Sequence, residues 1–324
     1  MGQPRDFGFG EEEQMVRDSA AKFLKDNAGI ETLRALTAKD PVEAYESQLQ
    51  PAPWSEELWQ SIVELGWTTL AIPEECGGMG MKMVAIAALA EEIGRVALPS
   101  PLTATLLASL VLREATASAA KPWLERIAAG EAASLAITNA RGSWEASDTD
   151  VSARIEGSGA LLNGEAAFVQ DARKAGIFIV SARSDQGVGL YALGAQHPGV
   201  TIKPDHIVDL TRDQARVEFK DVEVPEAGVV ATGDGGAAAI RAGLPAMLTV
   251  VSADMVGAGE WQLQTTCEYA SMRKQFDHPL GFFQAVKHPI VNMMLAVDRA
   301  VAGLQRCLCD RLRAWPSRAF RAHG

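Results

Sequence analysis

Between about residues 136 and 225 the apolar side chains recur at every second position, and on both sides of that stretch they recur at helical spacing. Val151, Ala153 and Ile155 alternate with polar residues, as do Val217 and Phe219 ahead of Val222 and Val224, so each run offers one face to a core and one to water. Gly157-Ser-Gly159, Asn163-Gly164 and Gly187 to Gly189 supply turns at intervals that suit an antiparallel sheet or small barrel. Upstream, Val16, Ala20, Phe23 and Leu24 share one helical face, and Leu58, Ile62 and Leu65 share another. Downstream, helical patterns run from about 238 to 272 and from about 284 to 310. This order disfavours a doubly wound nucleotide fold, because the strands cluster instead of alternating with helices and no G-x-G-x-x-G turn follows a strand. The expected class is α+β: an N-terminal α-helical domain over 1–135, a middle antiparallel β domain over 136–230 and a C-terminal helical domain over 231–324.

At 324 residues and 48% hydrophobic content the chain can bury sizeable cores. A formal net charge of -11 excludes nonspecific nucleic-acid binding, which needs clustered Lys and Arg to neutralise phosphates. Met1 to Gly10 is polar and glycine-rich, unlike a secretory leader, and a cytoplasmic location is the expectation. The most apolar segment, Ala242 to Gly259, is interrupted by Pro245, Ser252 and Asp254, which predicts a buried helix and no membrane span. Cys76, Cys267, Cys307 and Cys309 are too scattered for a disulfide framework. The Cys307-x-Cys309 pair has no further ligands at zinc-like spacing, so no metal site is expected.

Several local segments carry more information. Phe7-Gly-Phe-Gly-Glu-Glu-Glu-Gln14 opens the chain, and Ile72-Pro-Glu-Glu-Cys-Gly-Gly-Met-Gly80 ends a helix in a glycine-rich loop. They are followed by Glu91-Glu-Ile-Gly94, by Asp221-Val-Glu-Val-Pro225, and by Arg273-Lys-Gln-Phe-Asp-His-Pro-Leu-Gly-Phe-Phe-Gln284 between the two long helical patterns. Taken in that order, these segments resemble the acyl-CoA dehydrogenase family over residues from about 7 to 305.

The resemblance implies FAD as cofactor, an acyl-CoA thioester as substrate and an electron-transferring flavoprotein as acceptor. The reaction needs a carboxylate at the substrate α-carbon, donors to the thioester carbonyl and an oxidised flavin against the Cα–Cβ bond. By resemblance, Arg273, Phe276 and Gln284 reach a neighbouring subunit's FAD: Arg273 at the pyrophosphate, Phe276 on the adenine end, Gln284 hydrogen-bonding the cofactor. The residues alone also permit an ordinary helix–loop–helix with Arg273 solvated and Phe276 in a core. Within the subunit, Thr138-Asn-Ala-Arg-Gly-Ser-Trp-Glu145 stands where the family carries a Thr-Glu-Pro-x-x-Gly-Ser-Asp-like loop, keeping Thr138 but losing the proline and the glycine–serine order. Phe168-Val-Gln170 stands where the family often has Trp-Ile-Thr; Phe168 is expected to stack on the flavin and the Gln170 amide to donate to it, against the alternative of one buried and one exposed strand residue.

No catalytic base is assigned. One family position for it falls near Met247, flanked by Ala246 and Leu248; the other lies in the family's last hundred residues, beyond residue 324. Asp254 and Glu260 sit about 10 Å and 20 Å further along the same helix, too far to serve instead. The family's Asp-x-x-Arg pair for CoA falls on Gly243-Leu-Pro-Ala246, with Arg241 the nearest cation. His278 and His288 lack a carboxylate partner in sequence and are expected at the surface or in packing. Only residues 289–324 follow His288, where the family continues through further helices, so the C-terminal bundle is expected to be incomplete. From Arg299 onward there are six arginines, no lysine and one acid, and the apolar pattern Met293, Leu295, Val297, Val301, Leu304 stops near Leu308; a tail out of register with the ancestral frame is the expectation. Two readings stand: a FAD-dependent acyl-CoA dehydrogenase of lipid or sterol side-chain breakdown, or a non-catalytic subunit that completes the FAD site of a heteromeric relative. An oligomer is expected in both.

Overall fold

The computed structural model describes residues 10–37 and 54–314, with side chains described as far as Leu308. The opening Phe7-Gly-Phe9 and the tail from Trp315, with its expected change of register, lie outside the described residues.

The N-terminal helices are α1 (Glu11–Asn27), α2 (Ile30–Thr37), α3 (Glu56–Glu64), α4 (Met83–Arg95), α5 (Leu102–Leu112) and α6 (Ala117–Ala128). Glu13 starts α1 by accepting the Gly10 N–H at 2.9 Å, and three acids in the first turn suit the positive end of the helix dipole. Ser55 caps α3 by accepting from the Leu58 N–H at 3.2 Å. Leu58 and Ile62 are buried as their spacing predicts, but Leu65 is 38% exposed, because it lies past the last turn of α3 just before Gly66 turns the chain at φ 75. Every residue of α5 is buried, and its mostly apolar sequence fits a central position; the buried Thr105 and Ser109 hydroxyls are satisfied by the Pro101 and Thr105 carbonyls at 2.7 and 2.9 Å.

The strands are β1 (Ala133–Ala136), β2 (Val151–Glu156), β3 (Gly159–Gln170), β4 (Ile177–Ser184), β5 (Gly187–Gly194), β6 (Val200–Pro204), β7 (Gln214–Val224) and β8 (Val229–Ala231). They form one sheet in the order β6-β7-β3-β2-β4-β5-β8, with β1 beside β4. The sheet is not antiparallel throughout: β1 runs parallel to β4 in the register Ala133↔Ile177, and β2 touches β4 in parallel at Ser152↔Arg183. Tight turns join β2 to β3 and β4 to β5 as antiparallel hairpins, whereas the long connection through β2 and β3 lets β1 and β4 run the same way. Val151, Leu162, Phe178, Val180, Tyr191, Val217 and Val222 form its core.

After the sheet come α7 (Gly235–Met272), a hairpin of β9 (Lys274–Gln275) and β10 (His278–Pro279), and α8 (Gln284–Ala314). α8 continues past Leu308, where the apolar pattern stops, because Arg, Leu and Ala are good helix formers. By length and composition alone α7 could cross a bilayer; in the folded chain 56% of its most apolar window is buried.

The described elements gather in two compact units. One unit contains α1, α4 and the chain from Leu248, comprising the rest of α7, the hairpin and α8. Here Arg17 of α1 pairs with Glu91 of α4, and Arg95 of α4 bridges Glu92 at 3.2 Å and Glu260 of α7 at 2.5 Å. Burial raises the Glu91 carboxyl above its ordinary range, against the pull of Arg17. The other unit contains α3, α5, α6, the sheet and the first part of α7. Two indole N–H groups tie it together: Trp59 donates to the Gly130 carbonyl at 3.0 Å and Trp123 to the Ala227 carbonyl at 2.9 Å.

Candidate active site

An open cleft in the sheet-containing unit is lined by Ala104 and Leu107 of α5, by Ser134 and Leu135 of β1, by Ile137, Thr138 and Trp144 beyond it, by Phe168 and Gln170 of β3, and by Met247 of α7. It is shallow and opens to solvent. The three within-subunit residues expected at a flavin, Thr138, Phe168 and Gln170, therefore line one space, together with the position expected to hold a base.

The backbone explains the convergence. β1 ends at Ala136, and the Thr138 carbonyl accepts the Ala167 N–H at 2.9 Å, which fastens the chain after β1 to the far end of β3. A register shift between Ala166 and Val169 in the β3/β7 pairing frees Phe168, whose φ of 55 turns it out of the strand and leaves it 45% exposed. A phenylalanine in the left-handed region costs about 1–2 kcal/mol. Gln170 is held by its carbonyl, which accepts from the buried Ser134 hydroxyl at 2.5 Å, so its side chain can face the cleft.

Just past Gln170 the chain is pinned by two ion pairs. Lys174 Nζ donates to Asp171 at 2.8 Å, and Arg173 holds Asp213 through Nε at 2.9 Å, while the Asp171 N–H bonds the Asp213 carbonyl at 2.9 Å. Burial pushes the Asp171 carboxyl above its ordinary range, although Lys174 opposes the shift. No residue lining the cleft carries an ionisable side chain. Met247 is fully buried, and Glu260 of the same helix is occupied by Arg95.

Arg273, Phe276 and Gln284 belong to the unit that holds the hairpin. All three are exposed. Phe276 is 85% exposed, so it does not fill a core; with Asp277 it forms the two-residue hairpin turn at φ 51 and 62. Around it, Phe276 meets Phe283 edge-on at 6.2 Å and His278 stacks on Phe282 at 4.2 Å. His278 and His288 are both at the surface, and Arg241 is exposed too.

The cleft is uncharged: the hydroxyls of Ser134 and Thr138, the Gln170 amide and the rings of Trp144 and Phe168 stand among apolar side chains. Of the residues lining the cleft, the sequence singled out Thr138, Phe168, Gln170 and the Met247 position, but not Ser134, whose place depends on the sheet register, nor Trp144. An aromatic two residues past Gly142 in a loop otherwise polar was the available signal for the latter.

The family model for the acyl-CoA dehydrogenase N-terminal domain matches residues 10–131, and that for the C-terminal domain matches residues 234–320, into the arginine-rich tail. The chain is similar to the acyl-CoA dehydrogenase IpdE2 of Mycobacterium tuberculosis, with 31% identity over 298 residues, 90% of this chain and 74% of the relative. Among solved structures it superposes on the Tcur3481-Tcur3483 steroid ACAD G363A variant with a TM-score of 0.80 and 25% identity, over 95% of this chain and 80% of that one. The ChsE4-ChsE5 complex from Mycobacterium tuberculosis gives a TM-score of 0.82 at 24% identity, over 95% of this chain and 80% of that one, and shares the fold.

Proposed function

The chain belongs to the acyl-CoA dehydrogenase family, and we propose on that premise that it is a flavin-holding subunit whose cleft does not itself supply the catalytic base. The observation that carries this reading is the composition of the cleft. Thr138, Phe168 and Gln170 converge on a ring-shaped need, while the position expected for a carboxylate holds the buried Met247.

In this reading the assembly removes the α-proton and the β-hydrogen of an acyl-CoA thioester, leaving the α,β-unsaturated product. FAD, when bound, supplies the hydride acceptor. This chain's residues would bind and orient it: Phe168 would pack against the ring and Gln170 would donate an amide hydrogen bond. Arg273, Phe276 and Gln284, exposed on and beside the hairpin, extend to the cofactor of a neighbouring subunit. The neighbour provides the proton acceptor, and an electron-transferring flavoprotein takes the electrons. Lipid or sterol side chains are the proposed acyl groups, a choice supported by the likeness to a steroid ACAD whose name joins two proteins.

The second reading, an autonomous acyl-CoA dehydrogenase, is favoured by the preserved convergence of the cleft residues. The chain purified alone and with a candidate partner subunit separates the two. Flavin absorbance and acyl-CoA-dependent dye reduction appearing only in the complex support the subunit reading; turnover by the isolated chain overturns it.

A further inference from the structure

Five charged side chains from three helices meet where α1, α4 and α7 come together. Arg17 of α1 pairs with Glu91 and stands 4.0 Å from Glu92, both on α4, while Arg95 takes Glu92 at 3.2 Å and Glu260 of α7 at 2.5 Å. Three carboxylates thus share two guanidinium groups, and the surplus falls on Glu91. Burial holds its carboxyl above the ordinary range, Glu260 and Glu92 add to the rise, and Arg17 and Arg95 oppose it. The two joints around this cluster differ. α4 meets α7 main chain to main chain at Gly94 and Gly257, too close for any side chain. α1 instead lies on α4 through side chains: its buried residues are Glu13, Ala20 and Leu24, which share one stripe with Arg17. A change of charge in the cluster therefore acts on α1 before it acts on α7.

We propose that this cluster is a proton-sensitive clasp: with a proton on Glu91, α1 is held against α4, and as Glu91 ionises the hold weakens. Neutral Glu91 still accepts a hydrogen bond from Arg17, and two carboxylates then balance two guanidinium groups. Ionised Glu91 leaves a third carboxylate withdrawn from water, a charge that α1 relieves by lifting away and admitting solvent. The docked helix binds the Glu91 proton more tightly than the released one. Release therefore gains as pH rises from the ordinary carboxyl range through the raised titration of Glu91, and is level on either side. Lifting uncovers Ala20, Leu24 and the face of α4 beneath them. The clasp needs no cofactor.

Amide hydrogen exchange of the full chain, corrected for the intrinsic effect of pH on exchange, reads the clasp as the protection of α1. From about pH 4 upward, α1 is expected to exchange ahead of the buried helix α5, its protection falling by up to about tenfold per pH unit, the limit for one proton, before levelling. Glu91→Gln, neutral at every pH, should keep α1 protected and remove the fall. Glu260→Gln, which takes away a repelling charge, should confine the fall to a narrower and more acidic window, and serves if the first variant does not fold. Exchange of α1 together with α5 at every pH overturns the clasp, as does protection of α1 that is level or rises with pH. A fall in either variant identical to the wild type overturns it too.

Discussion

Gly94 of α4 and Gly257 of α7 make a reciprocal backbone contact: a Cβ on Gly94 would lie 1.9 Å from the Asp254 carbonyl oxygen, and one on Gly257 would lie 1.8 Å from the Glu91 carbonyl oxygen. Each helix thus presses its glycine onto the other's main chain, which no side chain permits. Gly94→Ala or Gly257→Ala forces the helices apart, and overpacking of this kind costs about 1–3 kcal/mol or more. Both variants are expected to melt well below the wild type. Gly303→Ala on α8, where nothing lies within 4 Å, is the control and should stabilise by about 0.5–1 kcal/mol through helix propensity. Similar melting temperatures for all three would contradict the crossing.

Phe276 occupies a left-handed hairpin position that Asn or Gly fills at lower cost. With 85% of the residue exposed, Phe276→Asn loses little packing and should raise stability by up to about 1 kcal/mol. If, as proposed, the exposed ring meets a neighbour's cofactor, the same change should lower the flavin-to-protein ratio of the purified oligomer. A variant that is more stable and equally yellow would remove Phe276 from the cofactor site.

Asp171 sets a pH dependence whose sign follows from its raised pKa. A carboxyl whose folded pKa exceeds its unfolded value binds its proton more tightly when folded, so its ionisation destabilises the fold as pH rises through that window. Asp171→Asn with Lys174→Met removes the buried pair without leaving a lone charge. The stability of the wild type relative to this double variant should fall as pH rises from the ordinary carboxyl range, about 4, through the raised titration of Asp171. Melting curves across that range decide it; a difference that grows with pH would reverse the assignment.

The helix–sheet–helix order was legible because a period of two and a period of 3.6 cannot be confused over long runs. Parallel pairing of β1 with β4 was not, since register between strands distant in sequence leaves no local mark. Thr138, Phe168 and Gln170 were legible as a motif, but their convergence with Met247 depends on the bulge at Phe168 and the start of α7. Leu65 was misplaced because helical spacing does not say on which turn the helix ends. Trp144 was passed over because an aromatic in a loop is ambiguous until its loop is folded.

Met247 offers the direct test of what the cleft lacks. Met247→Glu keeps side-chain length and places a carboxylate at a fully buried position lining the cleft. Desolvation without a partner will raise its pKa, here toward the range in which a general base is poised near neutral pH. If the cleft otherwise holds flavin and substrate correctly, the flavin-loaded variant should gain acyl-CoA-dependent dye reduction that the wild-type chain alone lacks, increasing with pH through the new group's titration. Met247→Gln, of equal size but unable to accept the proton, should stay inactive. Activity in both variants, or in the unaltered chain, would locate the base elsewhere and return the autonomous enzyme to first place; activity in the glutamate variant alone would make the missing carboxylate the difference between a subunit and an enzyme.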